Sequence, residues 1–205
     1  MTLQQPHEYG ERRPASQDRD REITTTIAFS NDLREIHKKE PDMRGLLGRV
    51  SMTDRKYAEG LNDATRSGIF GEIATWLVLK REYKVIEPTR EDDLGAVDLW
   101  IDTEKLTKKG KLVFWAIQIK TDAYAKQIAV SVVNKGSEVG ARMMRTADST
   151  QSIPKSAFVE PILIVIPGGG NDMYNTMTGL PSNQMQKELS EKTFDLLDGI
   201  DERLN

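Results

Sequence analysis

The chain has no cysteine. That excludes disulfide staples, thiolate metal sites and a cysteine nucleophile, and it suits a reducing compartment, so a cytoplasmic location is expected. It has no long hydrophobic run. The longest, residues 162–166, fits a buried strand and falls far short of a membrane span, so no membrane partner is expected. The polar N-terminus offers no apolar signal core, which argues against export by that route. Histidine is scarce: His7 and His37 both lie early in the chain, with no triad or metal-ligand spacing. There is no excess of positive charge either. Lys and Arg number 29 against 32 Asp and Glu, a net charge of −3, which argues against coating nucleic acid through a broad basic face but leaves room for a locally positive cleft. Gly168, Gly169 and Gly170 follow a strand pattern, yet the Gly-x-x-x-x-Gly-Lys-Ser/Thr phosphate loop is missing, so these glycines read as a flexible turn.

With 205 residues, 38% of them hydrophobic, there is enough chain for one sizeable core. Residues 1–22 are rich in Gln, Arg, Asp and Pro and read as a disordered or loosely tethered arm; residues 23–205 read as a single domain. Within it, residues 29–39 suggest a short helix with Leu33 and Ile36 inward, followed by interruptions at Pro41, Gly45 and Gly48. Residues 53–81 carry apolar side chains at helical spacing, with Thr53 as a plausible cap; Gly68 and Gly71 imply either two helices or one with a close contact. The period then changes to two. Strands are expected at 83–87, 96–102 and 111–120, the last apolar on both sides and therefore central, with a polar turn over 103–110. A helix is expected over 123–133, another over 138–145, a buried strand over 158–166, and a final helix over 183–198 with Gly199 as its stop. This order predicts one α/β domain.

Three features carry chemistry. Glu72 lies at the edge of the apolar face of its helix, beside Gly68, Ile69 and Trp76, rather than opposite it. Asp98 interrupts an apolar strand, Gly95-Ala96-Val97-Asp98-Leu99-Trp100, where an unpaired charge is costly and calls for a cation, donors or solvent. Gln118 and Lys120 end the central strand on one face, with Phe114 and Ala116 behind them. Asp92 and Asp93 read as a loop charge pair, and Tyr124 and Lys126 as residues placed to touch a nucleic-acid backbone.

A carboxylate in one strand, a polar-x-Lys ending the next and a glutamate on the preceding helix resembles the PD-(D/E)XK nuclease superfamily, in the Gln-x-Lys variant similar to Mrr-type restriction enzymes. The resemblance covers roughly residues 53–166. Val97 stands where the family's proline would be, and Gln118 replaces its usual carboxylate; an amide is a weaker ligand for a hard cation. The resemblance implies a restriction-endonuclease-like core with a central mixed four-stranded sheet flanked by helices. It implies a Mg²⁺-dependent nuclease, with Mn²⁺ as substitute ion, acting on DNA and favouring endonucleolytic cleavage, and a homodimer to cut two strands. Glu72, Asp98, Gln118 and Lys120 would be catalytic, with Asp98, Glu72, Gln118 and the Ile119 carbonyl holding the metal. The alternative is a core of the same type that has lost cleavage and serves as a nucleic-acid-binding or scaffold module.

Overall fold

The computed structural model describes residues 15–40, 42–168 and 173–204. In chain order it runs α1 (Ala15–Lys39), α2 (Met43–Tyr57), a 3₁₀ turn (Ala58–Gly60), α3 (Asp63–Glu82), β1 (Lys84–Ile86), α4 (Arg90–Leu94), β2 (Leu99–Leu106), β3 (Leu112–Asp122), β4 (Ala129–Val132), α5 (Glu138–Ser149), β5 (Phe158–Pro167) and α6 (Asn183–Leu204). The molecule is α/β, with a mixed sheet between helices.

The sheet has five strands, in the order β1-β2-β3-β5-β4, where four were expected. β1, β2 and β3 form an antiparallel meander; β5 pairs parallel with β3, and β4 closes the far edge antiparallel to β5. A parallel pair cannot be joined by a tight turn, and the chain makes the crossover through β4 and α5. β3 is central because both of its faces are covered. Trp115, Ile117 and Ile119 join the larger core, with residues of α1, α3 and α6; Phe114 and Ala116 join a second core, with Met143 of α5. That arrangement follows from the double-sided apolar pattern in the sequence.

The fifth strand comes from residues expected to be helical. Ile128, Val130, Val132 and Val133 are β-branched, and stiff β-branched side chains favour the pleated backbone that residues 129–132 adopt. Other boundaries also move. α1 begins at Ala15, inside the stretch expected to be an arm; residues 1–14 lie outside the described residues, as do Pro41, Gly169 and Gly170. α2 runs through Gly45, Gly48 and Thr53, and the helical stretch breaks instead at residues 58–62, where the Asn62 side chain caps α3 by accepting from the Thr65 amide. β2 begins only at Leu99, so Ala96, Val97 and Asp98, expected inside the strand, precede it; it extends to Leu106, and the turn is confined to residues 107–110. α6 passes Gly199 and continues to Leu204.

One close approach positions the site. A Cβ on Gly71 would lie 2.5 Å from Thr121 Cγ2, so the glycine lets α3 press onto the end of β3 beside Glu72.

Candidate functional site

The site begins where β2 and β3 part. α4 is held by a capping box between Thr89 and Asp92, and the chain then turns through Ala96, whose φ is +67°. The turn is clamped from α5: Thr146 Oγ1 donates to the Gly95 carbonyl at 3.1 Å, and Arg142 donates to the Leu94 carbonyl. The chain joins the sheet at Asp98, whose amide donates to the Ile117 carbonyl at 2.8 Å. Beyond that point β2 has no backbone carbonyl to offer Ile119. The Asp98 side chain supplies the acceptor, its Oδ2 taking the Ile119 amide at 2.6 Å. This substitution fixes the carboxylate against the backbone of β3 at Ile119.

Glu72 approaches from α3 and meets α1. Ser30 Oγ donates to Glu72 Oε1 at 2.8 Å, and Arg34 Nη2 forms an ion pair with the same oxygen. The Arg34 side chain is 1% exposed and that of Glu72 is 17% exposed. Arg34 Nη2 also donates to the Asp98 carbonyl at 3.3 Å, and Nη1 to Asn31 Oδ1 at 3.1 Å. One guanidinium thus joins α1, α3 and the start of β2. Beside it lies a cavity of about 290 Å³, walled by Glu22, Ile23, Thr26, Ile27 and Ser30 of α1 and by Glu72, Asp93 and Asp98.

Four carboxylates, those of Glu22, Glu72, Asp93 and Asp98, line this cavity, and the local charge is strained accordingly. Burial pushes the Asp98 carboxyl up to about 7, and the charge of Glu72 adds to the rise; the Ile119 amide, Lys120 and Arg34 oppose it. Asp93 is pushed up to about 8, by burial first and then by Glu72, with Asp98 and Asp92 contributing and Arg34 opposing. Around neutral pH the site is short of positive charge. Asp92 behaves differently from its neighbour. Burial acts to raise it, but the nearby Thr150 hydroxyl, the Thr89 amide and Ser152 hold it below the usual range, the last two by hydrogen bonds to its Oδ2. The pair expected to be loop charges therefore divides: Asp92 is a buried strut and Asp93 faces the cavity.

Of the residues picked out by sequence, Glu72 and Asp98 line one cavity. Lys120 is exposed at the end of β3, close enough for its charge to act on Asp98. Gln118 is 7% exposed and continues the face of Phe114 and Ala116, toward α5; it is not among the cavity's described walls. Ile119 contributes its amide to Asp98. His37 lies away from these carboxylates, its Nε2 2.7 Å from the Thr178 carbonyl, and His7 lies outside the described residues. Ser30 and Arg34 were missed, and Asp93 was read as a loop charge rather than as a wall of the cavity. The available signal was the four-residue spacing of Ser30 and Arg34, which puts both beside the Phe29–Leu33 stripe.

Among the described residues, no three His, Asp or Glu side chains are drawn together closely enough to hold a metal ion as they stand. The donor chemistry nevertheless suits a hard divalent cation: four carboxylates line one cavity, and the ion pair with Arg34 occupies one of them, Glu72. Compared with protein-family models, curated proteins and solved structures, the chain shows no match to any of them.

Proposed function

We propose that this protein is a metal-dependent nuclease of the PD-(D/E)XK type that hydrolyses phosphodiester bonds in DNA. One observation carries the reading: Asp98, fixed at the parting of β2 and β3 by the Ile119 amide, shares a cavity with Glu72 while the charge of Lys120 acts on it. Support comes from the element order, three consecutive strands after the glutamate-bearing helix, then a helix and a further strand, which agrees with such a core; β4 would be an addition at the edge.

Asp98 and Glu72 would hold Mg²⁺ or Mn²⁺, with the Ile119 carbonyl as a further protein donor; Gln118, expected to be a ligand, continues the opposite face of β3 toward α5 and lies outside the cavity's described walls. The ion, when bound, would polarise the scissile phosphate and lower the pKa of a water. Lys120 would orient the attacking water and offset negative charge on the phosphate. Tyr124 and Lys126, exposed on the turn after β3, would meet the substrate strand at the same end of the sheet. Cutting both strands of a duplex would call for two copies of the site, hence a homodimer.

A second reading has its own support. Glu72 is already paired with Arg34, and Gln118 is neutral, so of the residues expected to hold the metal Asp98 alone would bring an uncommitted charge. Such a core would bind nucleic acid without cutting it. Incubating the full chain with plasmid and single-stranded DNA, with Mg²⁺, with Mn²⁺ and with chelator, separates the two. The nuclease reading expects divalent-dependent cleavage that falls by about 10²–10³-fold in Lys120→Ala. Binding without cleavage by the parent supports the second reading, and undiminished cleavage by a folded Lys120→Ala removes Lys120 from the mechanism.

A further inference from the structure

We infer that Arg34 is the site's resident counter-cation, and that a divalent ion loads by displacing it from Glu72; this rests on the nuclease reading above. Arg34 stands between the two residues that would hold a metal. Its Nη2 pairs with Glu72 Oε1 and donates to the backbone carbonyl of Asp98, so it ties the helix glutamate to the segment that carries the Asp98 carboxylate. The second donor to Glu72, Ser30 Oγ, falls on the same Oε1. The α1 helix thus holds that oxygen with two groups, one of them a full positive charge.

The placement is not that of an ordinary structural ion pair. Arg34 is 1% exposed, yet its Nε–H is buried without a hydrogen-bond partner. An arginine bound for packing alone would be expected to satisfy that donor, since leaving one unpaired inside a protein is unfavourable. A guanidinium and a divalent ion also repel at the separations a shared carboxylate imposes, so an ion at Glu72 weakens its pair with Arg34. Exchange therefore moves Arg34, and with it the α1 segment that walls the cavity through Ile23, Thr26 and Ile27. In the ion-free protein α1 covers its own site; in the loaded protein Glu72 turns from Arg34 to the ion.

Mn²⁺ binding to the full chain, measured by calorimetry and by the loss of free-ion paramagnetic resonance signal, tests this without any turnover. Arg34→Gln is expected to bind Mn²⁺ at least tenfold more tightly than the parent, because the competitor is gone. In the parent, amide hydrogen exchange in α1 around Ser30 to Arg34 is expected to rise when Mn²⁺ binds, a readout that survives even if the variant folds poorly. Equal or weaker Mn²⁺ binding by a folded Arg34→Gln, or α1 exchange unchanged in an ion-bound parent, overturns the exchange and leaves the nuclease reading standing. Absence of Mn²⁺ binding in parent and variant alike removes both.

Discussion

The Asp98 carboxylate accepts a 2.6 Å hydrogen bond from the Ile119 amide, across the point where β2 and β3 part. A side chain has taken the place of a backbone carbonyl in the ladder. The same group therefore satisfies a strand amide and faces the cavity, and its two tasks can be separated by substitution. Asp98→Asn keeps an oxygen for the Ile119 amide, whereas Asp98→Ala leaves the amide without an acceptor. An orphaned buried donor costs roughly 1–3 kcal/mol, and each kcal/mol lowers the melting temperature of a chain this size by roughly 2–4 °C. Thermal unfolding is expected to place Asp98→Ala several degrees below Asp98→Asn. Both are expected to lose Mn²⁺ binding. Equal melting temperatures would mean that the hydrogen bond carries no weight in the fold.

Gly71 presses α3 against β3, and Thr121 is what it presses against. Adding a methyl group at Gly71 brings it to 2.5 Å from Thr121 Cγ2, so Gly71→Ala must push the helix, with Glu72 on it, away from the strand end. Overpacking of this kind costs roughly 1–3 kcal/mol. Thr121→Ser removes the opposing methyl. Chemical denaturation is expected to show Gly71→Ala destabilised and the double variant restored in large part, a coupling that a change in helix propensity alone would not produce.

Tyr124 is 93% exposed, on a turn held by the Asp122 side chain, which accepts the Tyr124 amide at 2.8 Å. Burial gives it no role in the core. If it stacks on a base of the substrate strand, its loss removes about 1–3 kcal/mol of binding, roughly five- to 150-fold in affinity. Titrating a labelled single-stranded oligonucleotide into Lys120→Ala and into the same protein with Tyr124→Ala reads this directly. Tyr124→Phe is expected to bind like the parent. Unchanged affinity in the alanine variant would leave Tyr124 outside the nucleic-acid contact.

What the sequence made legible follows from how strongly each segment is constrained. β3 was readable because burial on both faces forces an apolar residue at nearly every position, and Asp98 stood out because it breaks a pattern of that kind. β4 was not readable: its four residues are half-exposed at a sheet edge, and so short a run carries little periodicity. The end of α6 was misplaced because glycine lowers helix propensity without ending a helix. Termination needs a left-handed turn that Gly199 does not make, whereas Gly179, at φ +70°, does adopt that conformation. Glu72 could be placed on its helix, but its partner could not, since an arginine beside an apolar stripe has the same sequence pattern whether it reaches water or a buried carboxylate.

The carboxyls of Asp93 and Asp98 give the fold a pH dependence whose direction is fixed by their raised values. Both titrate near 3.8 when unperturbed, and in the folded chain Asp98 rises to about 7 and Asp93 to about 8. Between these limits the folded state binds more protons than the unfolded state, so these two groups make stability fall as pH rises from about 4 through 7 and 8. Other groups act elsewhere or in the opposite direction. His37, lowered by burial, favours the fold as pH rises toward its ordinary 6.5, and the lowered Asp92 and Asp102 matter only in acid. A bare melting curve therefore mixes these effects, and a difference measurement isolates the one of interest. Asp93→Asn removes a carboxyl that is protonated at pH 5 and increasingly ionised at pH 9. Its melting temperature relative to the parent is expected to be nearly unchanged near pH 4, to climb by several degrees between there and pH 8, and to level off by pH 9. Added Mg²⁺ is expected to narrow that gap by stabilising the parent, since the ion supplies the positive charge that the ionised cavity lacks. A difference that stays flat across this range would mean that Asp93 is solvated and does not share the cavity's charge with Glu72 and Asp98.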